Sequence, residues 1–580
     1  MIFFAASTIP LWVVLGYLAL LLGLGIYSGT FFRGTSKDYF VASRSIGPFM
    51  LLMSVFGTTM TGFALVGSTG KAFTTGVATY GALAAWSGIV HSAVFFVIGM
   101  RLWAIGKRHG YVTQVQFFRA RFNSKTLGTV LFVLLVLLII PYLLIGIISA
   151  GKFVQGTTRG MLGEAGIAPW LTSLVICGVV LSYVFLGGMR SAVWANTFQT
   201  IIFIFTGIIA FVMISKAVAE KTDGGSENII ENVKRATEYV EIHKPERLVR
   251  GIHPSAVERH KEAMEIFGEA ETEYLTNMEM WKAMAEAGPE EAAGAKPEKP
   301  TEPESPKPAM SHLVFITFLF IPLSVGMFPH VFQHWLTAKS AKSFRLAIVA
   351  HPICIAIVWL PCILIGVWAA GLAAAGELTV PNSNAALGVM VGQLVGNPWL
   401  MGVLMAGVLA AIMSSLDSQF ACLGTMFTND IVIPIKGKDY YSDADKVKLA
   451  RYFVVGVVAV AYVLSLLLAN SSVFNLGVWC FSGFTALFPI LFAALYWKRV
   501  TVVGAYACIG VTTVLWFYWF QQSGWGSDKG YSVLGMLPVA PLALASTTVL
   551  IAGSLLSRPP ENRLVNRFFP RSSSDGRGGN

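Results

Sequence analysis

The stretch Gly402–Asp430, GVLMAGVLAAIMSSLDSQFACLGTMFTND, decides how this chain is read. It opens as an apolar run and then sets Ser414, Ser415, Asp417 and Ser418 within about one and a half helical turns. Hydroxyls and a carboxylate are costly in hydrocarbon, so at membrane depth they face a cavity or a partner. Ala411, Ser414 and Ser415 fall at helical spacing on one face. Two hydroxyl oxygens beside a small residue whose carbonyl stays accessible make a hard-oxygen set suited to an alkali cation. The competing reading is that the serines pack helices closely and bond back to carbonyls of their own turn.

Composition puts this stretch in a bilayer. Of 580 residues, 55% are hydrophobic and 13% charged, with mean hydropathy +0.65. Apolar runs of about 20 residues recur, each long enough to cross the hydrocarbon core. About thirteen spans are read, at 9–28, 47–69, 79–101, 127–149, 168–187, 196–216, 311–332, 346–371, 398–419, 451–469, 474–496, 502–520 and 538–556. The first has no basic residue ahead of it and is too long for a signal peptide, so it is read as a retained span. Short loops on one side carry Arg33, Lys37, Arg44, Arg101, Lys107, Arg108, Arg119, Arg121, Arg190, Lys339, Lys342 and Arg345. Those on the other side hold only Lys71, Lys152, Arg159 and Lys529. This bias predicts an external N-terminus and a cytoplasmic C-terminus. The net charge of +11 mostly reflects the same bias and gives no argument for nucleic acid. The six cysteines lack metal-type or disulfide-framework spacing.

Residues 217–310 break the pattern: they are polar and hold about 20 of the 31 acidic residues. Within them, 256–287 has helical composition, and a Pro/Lys/Glu run from Pro289 to Pro308 reads as an extended linker. A solvated external insertion is expected, with a docked lid as the alternative. The insertion separates spans two to six from spans seven to eleven. Five is odd, so the two sets run in opposite directions, as in transporters built from inverted repeats around broken helices. The domain reading is 1–46 (first helix and cytoplasmic loop), 47–216 (first repeat), 217–310 (insertion), 311–496 (second repeat), 497–557 (additional helices) and 558–580, a basic tail expected to lack order.

Span two, GPFMLLMSVFGTTMTGFALVGSTGKAF (residues 47–73), crowds Gly57, Thr58, Thr59, Thr61, Gly62 and Gly67 to Gly70 into what should be a plain apolar helix. Glycine and threonine lower helix propensity, and unwound backbone at that depth is tolerated where it lines a cavity. A small-residue packing seam is the alternative.

Together these strings resemble the sodium:solute symporter family: SSLDSQFACLGTMFTNDI, the Gly-rich span two preceded by KDYFVASRSIGPF, GGMRSAVWANTFQT, MFPHVFQHWLTAKSAKSFR and WKRVTVVGAYACIG. The likeness covers about residues 35–215 and 311–510. It implies an all-α, polytopic, leucine-transporter-like fold with a 5+5 inverted repeat, working by sodium-driven alternating access. The resemblance implies a sodium site of backbone carbonyls at Gly57 and Met60 with the Ala411 carbonyl and the Ser414 and Ser415 hydroxyls. It also implies a substrate pocket beside that site, with Thr59, Thr61 and Phe63 from span two, Ser324 and Phe328 from span seven, and His91 from span three. For His91 a bond to a neighbouring helix is an equal alternative.

Two departures stand out. Members with a further cation site often carry Asp where this chain has Asn196, and proline-type members carry Asp where Thr59 stands. Asn196, Asp417 and Ser418 are therefore candidates for a second cation site, while Asp417 could instead cap or pair with a basic residue. Phe63, Phe73, Tyr80 and Trp86 are candidate gates, and Gln333, His334 and Trp335 either an inner gate or an interface belt.

No HExxH, GxSxG, Walker A or CxxC pattern is present, so no enzyme is expected. The expected function is a sodium-coupled symporter of the plasma (inner) membrane that imports a small organic solute, with Na+ as coupling ion and no cofactor. Alternatives are a solute sensor that kept the transporter fold, disfavoured by the short tail, and a proton-coupled symporter drawing on Asp417.

Overall fold

Apolar segments in a bilayer must satisfy their own amides, and helices do so within one segment. The computed structural model describes residues 8–30, 32–161, 163–222, 224–287, 296–437 and 440–569, all helix and connection. In chain order, with the short helices Ser36–Val41 and Gln114–Arg121 left unlabelled, the helices are α1 (Ile9–Thr30), α2 (Pro48–Thr59), α3 (Phe63–Thr75), α4 (Tyr80–His109), α5 (Lys125–Thr158) and α6 (Pro169–Ala219). Next come α7 (Ile229–His243), α8 (Pro254–Ala287), α9 (His312–Gly326), α10 (Pro329–Thr337), α11 (Ala341–Ala374) and α12 (Ala386–Leu394). The last are α13 (Pro398–Lys436), α14 (Asp443–Leu467), α15 (Val473–Tyr496), α16 (Val502–Gln522), α17 (Val539–Leu556) and α18 (Asn562–Phe568).

Among the described residues, ten of these helices are long and apolar enough to cross a membrane, and up to twelve spans result if each bent pair counts as one. The α2/α3 pair bends by 55° and the α9/α10 pair by 51°. In the first, Met60 leaves helical geometry (φ −87°, ψ 91°) inside the Thr-Thr-Met-Thr-Gly run. In the second, Phe328 turns extended (φ −66°, ψ 113°) ahead of Pro329. Proline disfavours the helical conformation in the residue before it and has no N–H to donate. The span read at 311–332 runs on to Thr337, and the MFPH string breaks it.

Helix α6 runs 51 residues, about 76 Å at ~1.5 Å per residue, which is more than twice the hydrocarbon thickness. It is interrupted at Gly188 (φ 57°, ψ −137°), where a Cβ would stand 2.6 Å from the Tyr39 carbonyl oxygen. Only glycine combines that backbone with that approach. The runs read at 168–187 and 196–216 lie on either side of this break.

The insertion is not uniformly solvated. In α7, Ala236, Tyr239 and Val240 share one face (i, i+3, i+4) and are buried against α6 and α11. The Tyr239 hydroxyl donates to Glu377 at 2.7 Å, and Lys221 pairs with the same carboxylate. Arg247 donates from Nε to the Phe73 carbonyl at 3.1 Å and accepts the Val77 amide at 2.9 Å. Helix α8, by contrast, has no buried residue from 254 to 286. Its start and the end of the insertion lie close together, with the Arg250 guanidinium 5.0 Å from the Phe315 ring. The basic tail also departs from expectation. Phe568 at the end of α18 is buried against His109 and Phe117, with ring centroids at 5.6 and 6.0 Å. The rest of the expected disordered tail, 570–580, lies outside the described residues.

Candidate functional site

Helix α13 starts where Asn397 caps it, its side chain accepting from the Trp399 and Leu400 amides ahead of Pro398 at the first turn. From Leu409 to Met426 every residue is buried, so its hydroxyls and carboxylate lie among neighbouring helices. The Ser414 hydroxyl stands 2.8 Å from the Ala411 carbonyl in its own helix and 2.8 Å from the Gly57 carbonyl in α2. Three oxygens from two distant segments thus share one proton. Gly57 makes the approach feasible, because a Cβ there would meet Thr200 Oγ1 at 2.3 Å and Ser414 Cβ at 3.6 Å. Thr200 in turn donates to the Met53 carbonyl at 2.9 Å, so hydroxyls from α6 and α13 address successive turns of α2. Met60, also buried, marks the break itself; its amide still donates to Phe56 at 3.0 Å. Ser415 donates to the Ile412 carbonyl at 2.9 Å, the within-helix pattern. Every donor atom in this set is a hard oxygen, the chemistry an alkali ion requires.

One turn on, Asp417 is fully buried and has no ion-pair partner among the described residues. The alternative of pairing with a basic residue is therefore not what the structure contains. Tyr183 from the first arm of α6 donates to Asp417 Oδ2 at 2.9 Å, and Ser418 lies 3.1 Å from Oδ1. Ser418 Oγ accepts from Asn196 Nδ2 at 2.8 Å and lies 2.8 Å from His334 Nε2 and 3.2 Å from the Ser414 carbonyl. One hydroxyl has a single proton and two lone pairs, so these four neighbours cannot all be served at once. Among the described residues, Asn196 Oδ1 and Thr58 Oγ1 are buried without a hydrogen-bond partner, and the buried Gln199 amide lies beside the Tyr17 and Tyr183 hydroxyls. Orphaned buried atoms of this kind cost roughly 1–3 kcal/mol each, and an ion taken up beside them would satisfy them.

The residues expected to face a solute divide. Phe63, just past the break in α2/α3, and Phe328, at the break in α9/α10, both pack on Phe481 of α15, at 5.0 and 5.4 Å. Tyr142 of α5 joins them, 5.0 Å from Phe481 and 5.1 Å from Phe328. Thr59 donates to the Phe56 carbonyl at 2.9 Å, and Thr61 Oγ1 accepts the Phe63 amide at 3.0 Å, so both hydroxyls stay with the broken backbone. Ser324 is buried in α9, its carbonyl accepting the Met327 amide at 2.9 Å. His91 lies apart from this cluster, its Nδ1 3.2 Å from His351 Nε2 in α11: the neighbouring-helix arrangement. Gln333, His334 and Trp335 are buried inside the bundle and form no interface belt.

The model of the sodium:solute symporter family matches residues 39–511. The chain belongs to the sodium:solute symporter family. Its members are transporters, not enzymes. This symporter is 24% identical over 570 residues to the sodium/proline symporter of Haemophilus influenzae, covering 95% of this chain and 94% of the relative. It is 23% identical over 557 residues to the sodium/proline symporter of Escherichia coli, covering 92% and 90%. Its fold superposes on a Na+-coupled sialic acid symporter solved in a substrate-bound outward-open state, with TM-score 0.68 and 17% identity over 96% of this chain and 99% of that one. Membership makes the chain an integral, multi-pass membrane protein that couples a small solute to sodium. Reading single residues missed Tyr183, Thr200 and Gln199. The latter two were findable, since they stand three and four residues after Asn196 and share its face. Tyr183 was not, because the Gly188 break sets its direction.

Proposed function

We propose that this symporter imports a small organic solute together with sodium by alternating access. One observation carries the reading: the Ser414 hydroxyl bridges the Gly57 carbonyl of broken α2 and the Ala411 carbonyl at 2.8 Å each. On this reading sodium takes the carbonyls of Gly57, Met60 and Ala411 and the hydroxyls of Ser414 and Ser415, the Ser414 proton turning away as the ion enters. The ion then ties α2 to α13. Coupling needs only that ion and solute each bind that arrangement better than the others. Asp417, Ser418 and Asn196 hold a second cation. Its charge comes from α13, and Asn196 of α6 contributes a carbonyl oxygen in place of a carboxylate.

Counting the two arms of α6 separately gives thirteen spans, with the N-terminus outside and the C-terminus in the cytoplasm of the inner-membrane-bounded cell. The two bent pairs open two five-span units of opposite direction, which is what an inverted repeat requires. Thr59, Thr61, Phe63, Ser324 and Phe328 line the solute's site; His91 supports it from behind through His351. Proline, the solute named for the relatives, is the first to try, although Thr59 stands where proline-type members carry Asp.

The test is uptake of radiolabelled proline and a panel of small solutes into proteoliposomes, with sodium or choline outside. Ser414→Ala with Ser415→Ala should abolish the sodium stimulation while the protein still elutes as a single species. Sodium stimulation unchanged in that variant overturns the assignment. A pH gradient imposed without sodium addresses the proton-coupled reading that Asp417 and His334 would support; uptake driven by that gradient alone would favour it.

A further inference from the structure

On the face that carries the insertion, a recess of about 410 Å³ opens directly above the broken helix. Its floor is Phe474 of α15, which stacks on Phe63 with ring centroids 5.1 Å apart. Its walls include Trp479 and Tyr531, 5.9 Å apart, and Leu537. Three ammonium groups line it: Lys71 of α3, Lys307 at the end of the insertion and Lys529 in the α16–α17 loop. Lys307 is bonded to Glu304 at 2.8 Å. Lys71 and Lys529 have no ion-pair partner among the described residues, and Lys71 Nζ lies over the Phe474 ring at 5.4 Å. A second recess, lined again by Lys71, Phe474 and Lys529, continues the first toward Ser383 and Asn384. The one carboxylate in the lining, Asp528, already accepts the Gly530 amide of its own turn at 2.8 Å.

Two like charges face one concave, aromatic-walled space. Field lines from charges in a low-dielectric cleft concentrate there and raise the local concentration of the opposite sign. Aromatic walls add contact area for a flat apolar body, and an anionic group between two ammonium groups forms charge-assisted hydrogen bonds. We propose that this recess is a binding site for an organic carboxylate with a planar apolar body, one aromatic layer above the broken helix. It is distinct from the mid-membrane site: Phe474 and Phe63 separate the two. A ligand seated on Phe474 presses on the ring that covers Phe63, so the site stands on the route into the centre.

The test uses the full chain in nanodiscs, titrated calorimetrically at fixed NaCl with benzoate, with its neutral isostere benzamide and with inorganic sulfate. Benzoate should bind at least about tenfold more tightly than benzamide, the ratio expected for one charge-assisted pair. Lys71→Gln with Lys529→Gln should bring benzoate to the benzamide level, with the melting temperature of the ligand-free protein unchanged. Lys529→Gln alone, on an exposed loop, keeps the comparison available should the double variant fail to fold, and should give an intermediate loss. Equal binding of benzoate and benzamide overturns the proposal. So does undiminished benzoate binding in both variants, or sulfate competing as well as benzoate, which would mark simple ion attraction without a carboxylate site.

Discussion

At the scale of single residues, Gly57 is fixed by what surrounds it more than by helix propensity. Thr200 Oγ1 would stand 2.3 Å from any Cβ placed there, and Ser414 closes the other side. Gly57→Ala should push α2 off α6 and α13, costing about 1–3 kcal/mol of stability by overpacking. Sodium-stimulated uptake should be lost; thermal unfolding and uptake measured side by side check both parts. Asp417 gives a second prediction. Asp417→Asn keeps an acceptor for the Tyr183 hydroxyl but removes the charge. On the two-cation reading, the Hill slope of uptake against sodium concentration should fall toward one, and an unchanged slope would count against it. Spacing in the sequence puts Ala411, Ser414 and Ser415 on one face, and that part was legible. That Ser415 bonds within its own helix while Ser414 reaches across to Gly57 was not, because it depends on how α13 is rotated against α2.

At the scale of elements, interruptions organise the molecule: Met60–Gly62, Met327–Phe328 and Gly188. The first was legible as a crowd of glycines and threonines, and the second should have been, from Pro329. The third is held by tertiary contact. Beside it, the Asp38 carboxylate in the short helix Ser36–Val41 that precedes α2 is bound by Arg190, with Nε at 2.9 Å from Oδ2, by the Ser43 hydroxyl at 2.7 Å and by the Arg33 amide at 3.1 Å. Burial by itself raises the Asp38 carboxyl, but the Arg190, Ser43 and Arg33 bonds together hold it below the ordinary carboxylate value. The folded state therefore binds this proton less readily than the unfolded chain. Its stabilisation is full above the unfolded value of about 3.9 and is lost as pH falls through the lower folded value. Asp38→Asn should lower stability at neutral pH by about 3–5 kcal/mol, since it strands a largely buried guanidinium. It should also flatten the acid limb of melting temperature against pH.

At the scale of the whole molecule, the chain divides into a bundle and an excursion. Helix α7 belongs to the bundle, through Tyr239, Val240 and Arg247, whereas α8 has no buried residue from 254 to 286. Replacing residues 256–303 with a Gly/Ser linker of about ten residues should preserve sodium-stimulated uptake. Loss of uptake from a variant that still folds would give the excursion a part in transport. Composition and periodicity alone determined a polytopic helical protein, where its long apolar helices fall and an oxygen-rich stretch on α13, because hydrocarbon admits only long apolar helices and makes each polar exception conspicuous. Only the tertiary structure decided that α7 docks, that Asp417 is bound by the Tyr183 hydroxyl, and that Ser414 reaches Gly57. Those outcomes depend on how helices far apart in the chain are rotated and spaced against one another, and hydropathy carries no record of rotation.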